Sequence, residues 1–239
     1  MAEKIEQLKI KIFLDGASMA DLLELKDQPY IQGLTTNPSL MRKEGVADYQ
    51  IFASEMLELF PNRPISFGVF SDDFSEMEQQ ALQIASWGEN VYVKIPIINT
   101  QRESAYALIR KLSAQKIKLN ITAVMTLEQV HQATMALAKD VPSYISIFAG
   151  RIADTGRDPI PAIKAALEII KESPLVELIW ASPRELFNIF QADTLGCHVI
   201  TLTKDILQKL PLIGYNLEDY SLDTVKMFSK DAFEAGLKL

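Results

Sequence analysis

Short β-rich runs alternate with longer amphipathic stretches from one end of this chain to the other. The runs are Ile10–Leu14, Ile31–Thr35, Ile65–Phe70, Val91–Ile95, Ile117–Thr122, Tyr144–Phe148, Val176–Trp180 and His198–Thr201. Between them, Phe74–Trp87, Glu103–Gln115, Leu127–Lys139 and Ile160–Lys171 place apolar residues at three- and four-residue steps, the period of a helix that buries one face. Such alternation implies parallel strands joined by helical crossovers. Eight units of this kind predict an α/β fold closed into a (β/α)8, or TIM, barrel. The competing arrangement is an open doubly wound sheet, but no G-x-G-x-x-G follows any strand. No linker or repeat interrupts the pattern, so residues 1–239 are expected to form one barrel domain. Residues 216–239 read as a tail of one or two extra helices beyond the eighth unit. These could pack on their own barrel or on a neighbour, which leaves a homo-oligomer open.

Several helices carry recognisable starts. Asn37-Pro38 offers a capping side chain before a proline at the first helical position. Ser182-Pro183-Arg184-Glu185 has the same form with a capping-box glutamate. Thr100…Glu103 and Thr126…Gln129 read as further capping boxes, and Asp158-Pro159 as another start.

Composition narrows the chemistry. The net charge of −7 argues against a non-specific nucleic-acid binder. The lone cysteine, Cys197, permits no internal disulfide and reads as a small buried hydrophobe, which suits a reducing cytoplasm. His131 and His198 lie far apart without metal-ligand spacing, so no metal and no cofactor are expected. The charged start, Met1 to Lys11, lacks a signal-peptide apolar region, and no apolar run is long enough to span a bilayer. A cytoplasmic location without a membrane partner is the expectation.

Polar residues collect at the C-terminal ends of the strands, where barrels of this type carry their sites. Strand one closes with Asp15 and strand two with Thr35-Thr36-Asn37. Strand four carries Lys94 inside Val91-Tyr92-Val93-Lys94-Ile95-Pro96. Strand five carries Asn120 and Thr122, two apart and so on one face. Strand six carries Ser146 and Phe148, followed by Gly150-Arg151, and strand seven runs into Trp180-Ala181-Ser182-Pro183-Arg184. An amine held among apolar groups loses hydration, which favours its neutral form, and a neutral amine can attack a carbonyl to form a Schiff base. Each residue also has a plainer reading. Lys94 could reach solvent, Asp15 could be a turn residue, and Asn37 and Ser182 could be helix caps. Asn120 and Thr122 could bond local backbone, and Arg151 with Asp154 could form a surface ion pair.

Together these residues resemble the transaldolase family, in its short-chain group related to the fructose-6-phosphate aldolases. The matching pieces are Leu14-Asp15-Gly16-Ala17, Gly33-Leu34-Thr35-Thr36-Asn37-Pro38-Ser39-Leu40, the Lys94 strand, Asn120-Ile121-Thr122, Ser146-Ile147-Phe148-Ala149-Gly150-Arg151-Ile152 and Ala181-Ser182-Pro183-Arg184. The resemblance implies a metal-free, class I aldolase-like mechanism on sugar-phosphate substrates, a ketose donor and an aldose acceptor. Lys94 would form the Schiff base and Asp15 would take the C4 hydroxyl proton. Thr122 would help to place a proton-relaying water. Asn37 and Asn120 would hold hydroxyls of a dihydroxyacetone unit, with Thr35, Ser146 and Phe148 also at the substrate. Arg151, Ser182 and Arg184 would grip the phosphate. Phe148 stands where the aldolases carry a tyrosine, and that favours transfer over simple cleavage. One position departs from the pattern. The family places a glutamate or glutamine on strand three to hold the catalytic water, and here Gly68 occupies that position. General acid–base help is worth roughly 3–5 kcal/mol of barrier. The resemblance therefore implies a slow site unless Asp72, Asp73 or an ordered water substitutes, and it leaves an aldolase and a non-catalytic sugar-phosphate binder as alternatives.

Overall fold

The structure, a computed structural model, describes residue 5 and residues 7–237. The remaining residues at the expected start and at the end of the expected tail lie outside them. Eight parallel strands close into a barrel in sequence order, β1 pairing with both β2 and β8. They are β1 (Lys11–Asp15), β2 (Ile31–Thr35), β3 (Ile65–Gly68), β4 (Val91–Pro96), β5 (Leu119–Val124), β6 (Ser143–Ile147), β7 (Val176–Trp180) and β8 (Val199–Leu202). The helices around them are α1 (Met19–Leu25), α2 (Pro38–Lys43), α3 (Tyr49–Leu59), α4 (Phe74–Ala85), α5 (Tyr106–Ala114), α6 (Leu127–Ala136), α7 (Ala149–Asp154), α8 (Ile160–Ile170), α9 (Phe187–Thr194) and α10 (Lys204–Leu207). Among the described residues a single helix, α11 (Leu217–Glu234), follows where one or two were expected. Among the described residues no helix is long and apolar enough to cross a membrane.

Strand alternation sorts the side chains into two layers. On β4, Val91, Val93 and Ile95 are buried against the helices, while Tyr92, Lys94 and Pro96 face the barrel interior. The main core lies between strands and helices and includes Ile65, Phe67, Ile121, Leu178 and Trp180. A second, smaller cluster fills the barrel itself: Phe13, Tyr144, Ile179, Ala181 and Val199, with Tyr92 and Phe148 against it. Phe13 and Tyr144 meet edge to face with ring centres 5.7 Å apart. Gly33 is required beside them, because a Cβ there would lie 2.5 Å from the Phe13 ring.

Local capping explains which helix starts behave as expected. Asn37 Oδ1 accepts from the Leu40 N–H at 3.0 Å with Pro38 opening α2. Thr126 and Gln129 form the reciprocal box of α6, and Asp158 accepts from the Ile160 N–H at 2.9 Å as α8 begins. Two starts fail. Thr100 gives its hydroxyl and its N–H to Asp72, so α5 begins only at Tyr106, after a turn organised by Asn99. Ser182 starts no helix. Its φ is +60°, and α9 begins at Phe187 after Asn188 Oδ1 has accepted the Arg184 and Glu185 N–H groups.

Candidate active site

At the C-terminal mouth of the barrel a cavity of about 510 Å³ is lined by Asp15, Asn37, Lys94, Ser146, Phe148, Arg151, Ser182 and Arg184. Pro38, Ser39, Ala181, Pro183, Thr201, Thr203, Asp205 and Ile206 complete its wall. Four expected residues, Thr35, Gly68, Asn120 and Thr122, do not line it; they belong to the strands that frame it.

Lys94 lies in register between Gly68 on β3 and Asn120 on β5. As a cavity-lining residue it is only partly buried, yet protein surrounds its amine closely. Burial lowers the pKa of the ammonium below the ordinary lysine value, and the negative charge of Asp15 opposes this in part. The amine donates to the Thr36 carbonyl oxygen at 2.9 Å, reaching past β3 to the end of β2. Beside it runs a buried chain of side chains. Ser146 Oγ donates to Asn120 Oδ1 at 2.7 Å, and Asn120 Nδ2 donates to Ser66 Oγ at 2.9 Å. Asn120 is thus held by side chains of β3 and β6 and not by local backbone.

Asp15 is fixed from β2. Thr35 Oγ1 donates to one carboxylate oxygen at 2.7 Å and Asn37 Nδ2 to the other at 3.3 Å. An ionised carboxylate only accepts, so Thr35 spends its proton there, and Thr201, 2.6 Å away, must donate to Thr35. Asn37 therefore combines two roles: its oxygen caps α2 and its nitrogen orients Asp15.

The arginine side of the cavity differs from the expected surface pair. Asp154 pairs with Arg184 rather than with Arg151: Arg184 Nε donates to it at 2.9 Å and a second guanidinium nitrogen to its other oxygen. This pairing holds the Asp154 carboxyl below the usual range and raises Arg184. The remaining Arg184 nitrogen reaches Ser182 Oγ at 2.9 Å. The Arg151 guanidinium stands 5.6 Å from the centre of the Phe148 ring. The Ser182 carbonyl oxygen presses on Gly150 so closely that a Cβ there would sit 1.6 Å from it. Gly150 thus lets the loop after β7 close onto the first turn of α7.

Neither expected substitute for a strand-three carboxylate is free. Asp72 is engaged by Thr100, and Asp73 caps α4 by accepting from the Ser75 and Glu76 N–H groups. Among the described residues no group of three or more His, Cys, Asp or Glu is arranged to hold a metal ion. Sequence reasoning missed Ser66, Thr201 and Thr36. Ser66 lies two residues before Gly68 and so on its face, and Thr201 is the polar residue facing inward on β8; alternation would have found both. Thr36 acts through its carbonyl, which no side-chain pattern reveals.

The family model described as Transaldolase/Fructose-6-phosphate aldolase matches residues 12–239. A probable transaldolase of Nitrosopumilus maritimus (strain SCM1) is 32% identical over 91% of this chain and 96% of its own. A probable transaldolase of Thermoanaerobacter sp. (strain X514) is 32% identical over 96% of this chain and 100% of its own. A solved structure described as "Native KDPGal structure" superposes with a TM-score of 0.56 at 13% identity, over 83% of this chain and 84% of that one, a likeness of fold.

Proposed function

Because the chain belongs to the transaldolase/fructose-6-phosphate aldolase family, we propose that it transfers a dihydroxyacetone unit between sugar phosphates through a Schiff base on Lys94. The observation that carries this reading is the desolvated Lys94 amine opening into the same cavity as Asp15. In the proposed course the Lys94 nitrogen attacks the ketone carbon of a ketose phosphate, and loss of water leaves a protonated imine. Asp15 takes the C4 hydroxyl proton while the C3–C4 electrons move into the imine, giving an enamine and a free aldose phosphate. A second aldose phosphate then accepts the three-carbon unit. Asn37 and Asn120 hold hydroxyls, with Thr35 and Ser146 keeping Asp15 and Asn120 in place, and Thr122 acts on the relay water. Arg151, Ser182 and Arg184 take the phosphate. Phe148 has no hydroxyl with which to protonate the enamine, so the unit waits for an acceptor.

A second reading, a sugar-phosphate-binding barrel without turnover, is favoured by Gly68 and by the engagement of Asp72 and Asp73 elsewhere. Borohydride reduction in the presence of fructose 6-phosphate, followed by peptide mass mapping, is expected to place the adduct on Lys94. No adduct, or one on another lysine, rejects the catalytic reading. Product formed equally without an aldose acceptor would instead indicate the aldolase that releases dihydroxyacetone. We further propose that residues 1–239 act as one catalytic domain with 216–239 as its tail, in the cytoplasm and as a homo-oligomer. The exposed apolar residues of α11 support the last point.

A further inference from the structure

Arg184 meets the cavity with most of its donors already engaged. A guanidinium has five N–H groups. Nε and Nη2 of Arg184 donate to the two carboxylate oxygens of Asp154. Nη1 donates to the Ser182 carbonyl oxygen at 3.1 Å and to Ser182 Oγ at 2.9 Å. That leaves one N–H, on Nη2, for anything else. A carboxylate or a phosphate takes two parallel N–H groups from an arginine, and Asp154 has taken the Nε–Nη2 pair.

Asp154 gains nothing from its own helix. It is the last residue of α7, where the helix dipole opposes an anion. Its side chain and that of Arg184 are exposed by 53% and 45%, and an ion pair so open to water is weak. The guanidinium itself is fixed. A Cβ on Gly150 would lie 3.2 Å from its Cζ, so it rests on the bare first turn of α7. Arg151, three residues before Asp154, lines the cavity over the Phe148 ring, and its charge acts on Asp154 as well. The transfer cycle needs a phosphate grip that lets go. An aldose phosphate must leave while the three-carbon unit stays on Lys94, and a second must enter by the same mouth. Two arginines without a counter-ion would oppose that exchange.

We propose that Asp154 is an exchangeable counter-ion, which releases Arg184 when a substrate phosphate arrives, takes it back when the aldose phosphate leaves, and so loosens the grip of the site on phosphate. The inference rests on the sugar-phosphate transfer reading given above. Arg184 is open to phosphate only in the fraction of molecules in which Asp154 has let go, and the apparent affinity of any anion falls by that fraction, whatever its charge. A carboxylate that only repelled anions from a distance would act about twice as strongly, in free energy, on a dianion as on a monoanion.

The experiment compares fructose 6-phosphate, a dianion at about pH 8, with fructose 6-sulfate, a monoanion of the same shape, and with dihydroxyacetone, which has no anionic group. The half-saturating concentration of each is measured by borohydride trapping at Lys94 in the native chain and in Asp154→Asn, at constant ionic strength. Asp154→Asn is expected to lower this concentration about fivefold for both esters and to leave that of dihydroxyacetone within about twofold of the native value. A gain for the phosphate more than about twice that for the sulfate makes Asp154 a distant repulsive charge and overturns the exchange. Equal gains for all three compounds overturn it as well. So do weaker binding of the esters, which makes Asp154 a strut for Arg184, and esters that trap alike in both proteins. In each of these cases trapping at Lys94 leaves the Schiff base standing. No trapping at Lys94 in either protein overturns the Schiff base instead, and calorimetric dissociation constants of the two esters then decide the exchange by the same ratios.

Discussion

At the scale of the residue, Lys94 sets a cost against a use. Burial lowers its pKa, so between the folded and the unfolded values the unfolded chain binds more protons than the folded one. Stability therefore rises with pH across that window, and the penalty for burying the amine is fully present below the folded value. Lys94→Met keeps the shape without the charge. It is expected to be more stable than the parent chain at neutral pH, by about 1.4 kcal/mol for each pKa unit of depression, with the gap closing as pH approaches the ordinary lysine value. Urea unfolding at a series of pH values measures this. A parent chain more stable than the variant at neutral pH would mean that the ammonium is well solvated or fully paired.

At the scale of the element, the site depends on how loops meet. The first turn of α7 and the loop after β7 touch through Gly150 and the Ser182 carbonyl oxygen. Gly150→Ala sets carbon against a backbone oxygen, and neither partner is a flexible side-chain end. The expected loss is about 3 kcal/mol or more, seen as a lowered denaturation midpoint together with weaker phosphate binding. A variant with unchanged stability would show that the loop can retreat. The same scale explains what was legible in the chain. β2 and β7 match their expected bounds, and the other strands differ by one or two residues at an end. Caps at Asn37 and Thr126 were readable because donor and acceptor are three residues apart. The starts at Thr100 and Ser182 were misread because Asp72 claims the Thr100 hydroxyl from another loop and Arg184, inside the expected box, donates to the Ser182 hydroxyl. Period-two alternation brought Asp15, Lys94, Ser146 and Asn37 to one mouth. It carried no information on Arg184 choosing Asp154, which is a tertiary choice.

At the scale of the molecule, α11 stands apart. None of its residues is buried, and Leu217, Phe228 and Phe233 are exposed by 81%, 62% and 87%. An 18-residue helix with this much apolar surface is an incomplete element unless something covers it. Light scattering is expected to give a mass well above the 26.8 kDa of one chain, and Phe228→Glu is expected to lower it without loss of helix content. A monomeric parent chain would contradict this.

Closure of the barrel joins the two ends of the chain's strand order. β1 pairs with β8, and the Asp193 carboxylate accepts from the Lys9 and Ile10 N–H groups at 2.7 and 2.9 Å. A nascent chain on the ribosome cannot form that seam until residues near 202 have emerged. Until then β1 and the newest strand both present unsatisfied edges, ready to pair with another growing chain. A premature stop before β8 would therefore yield an aggregating fragment, whatever the intactness of Lys94 and its neighbours.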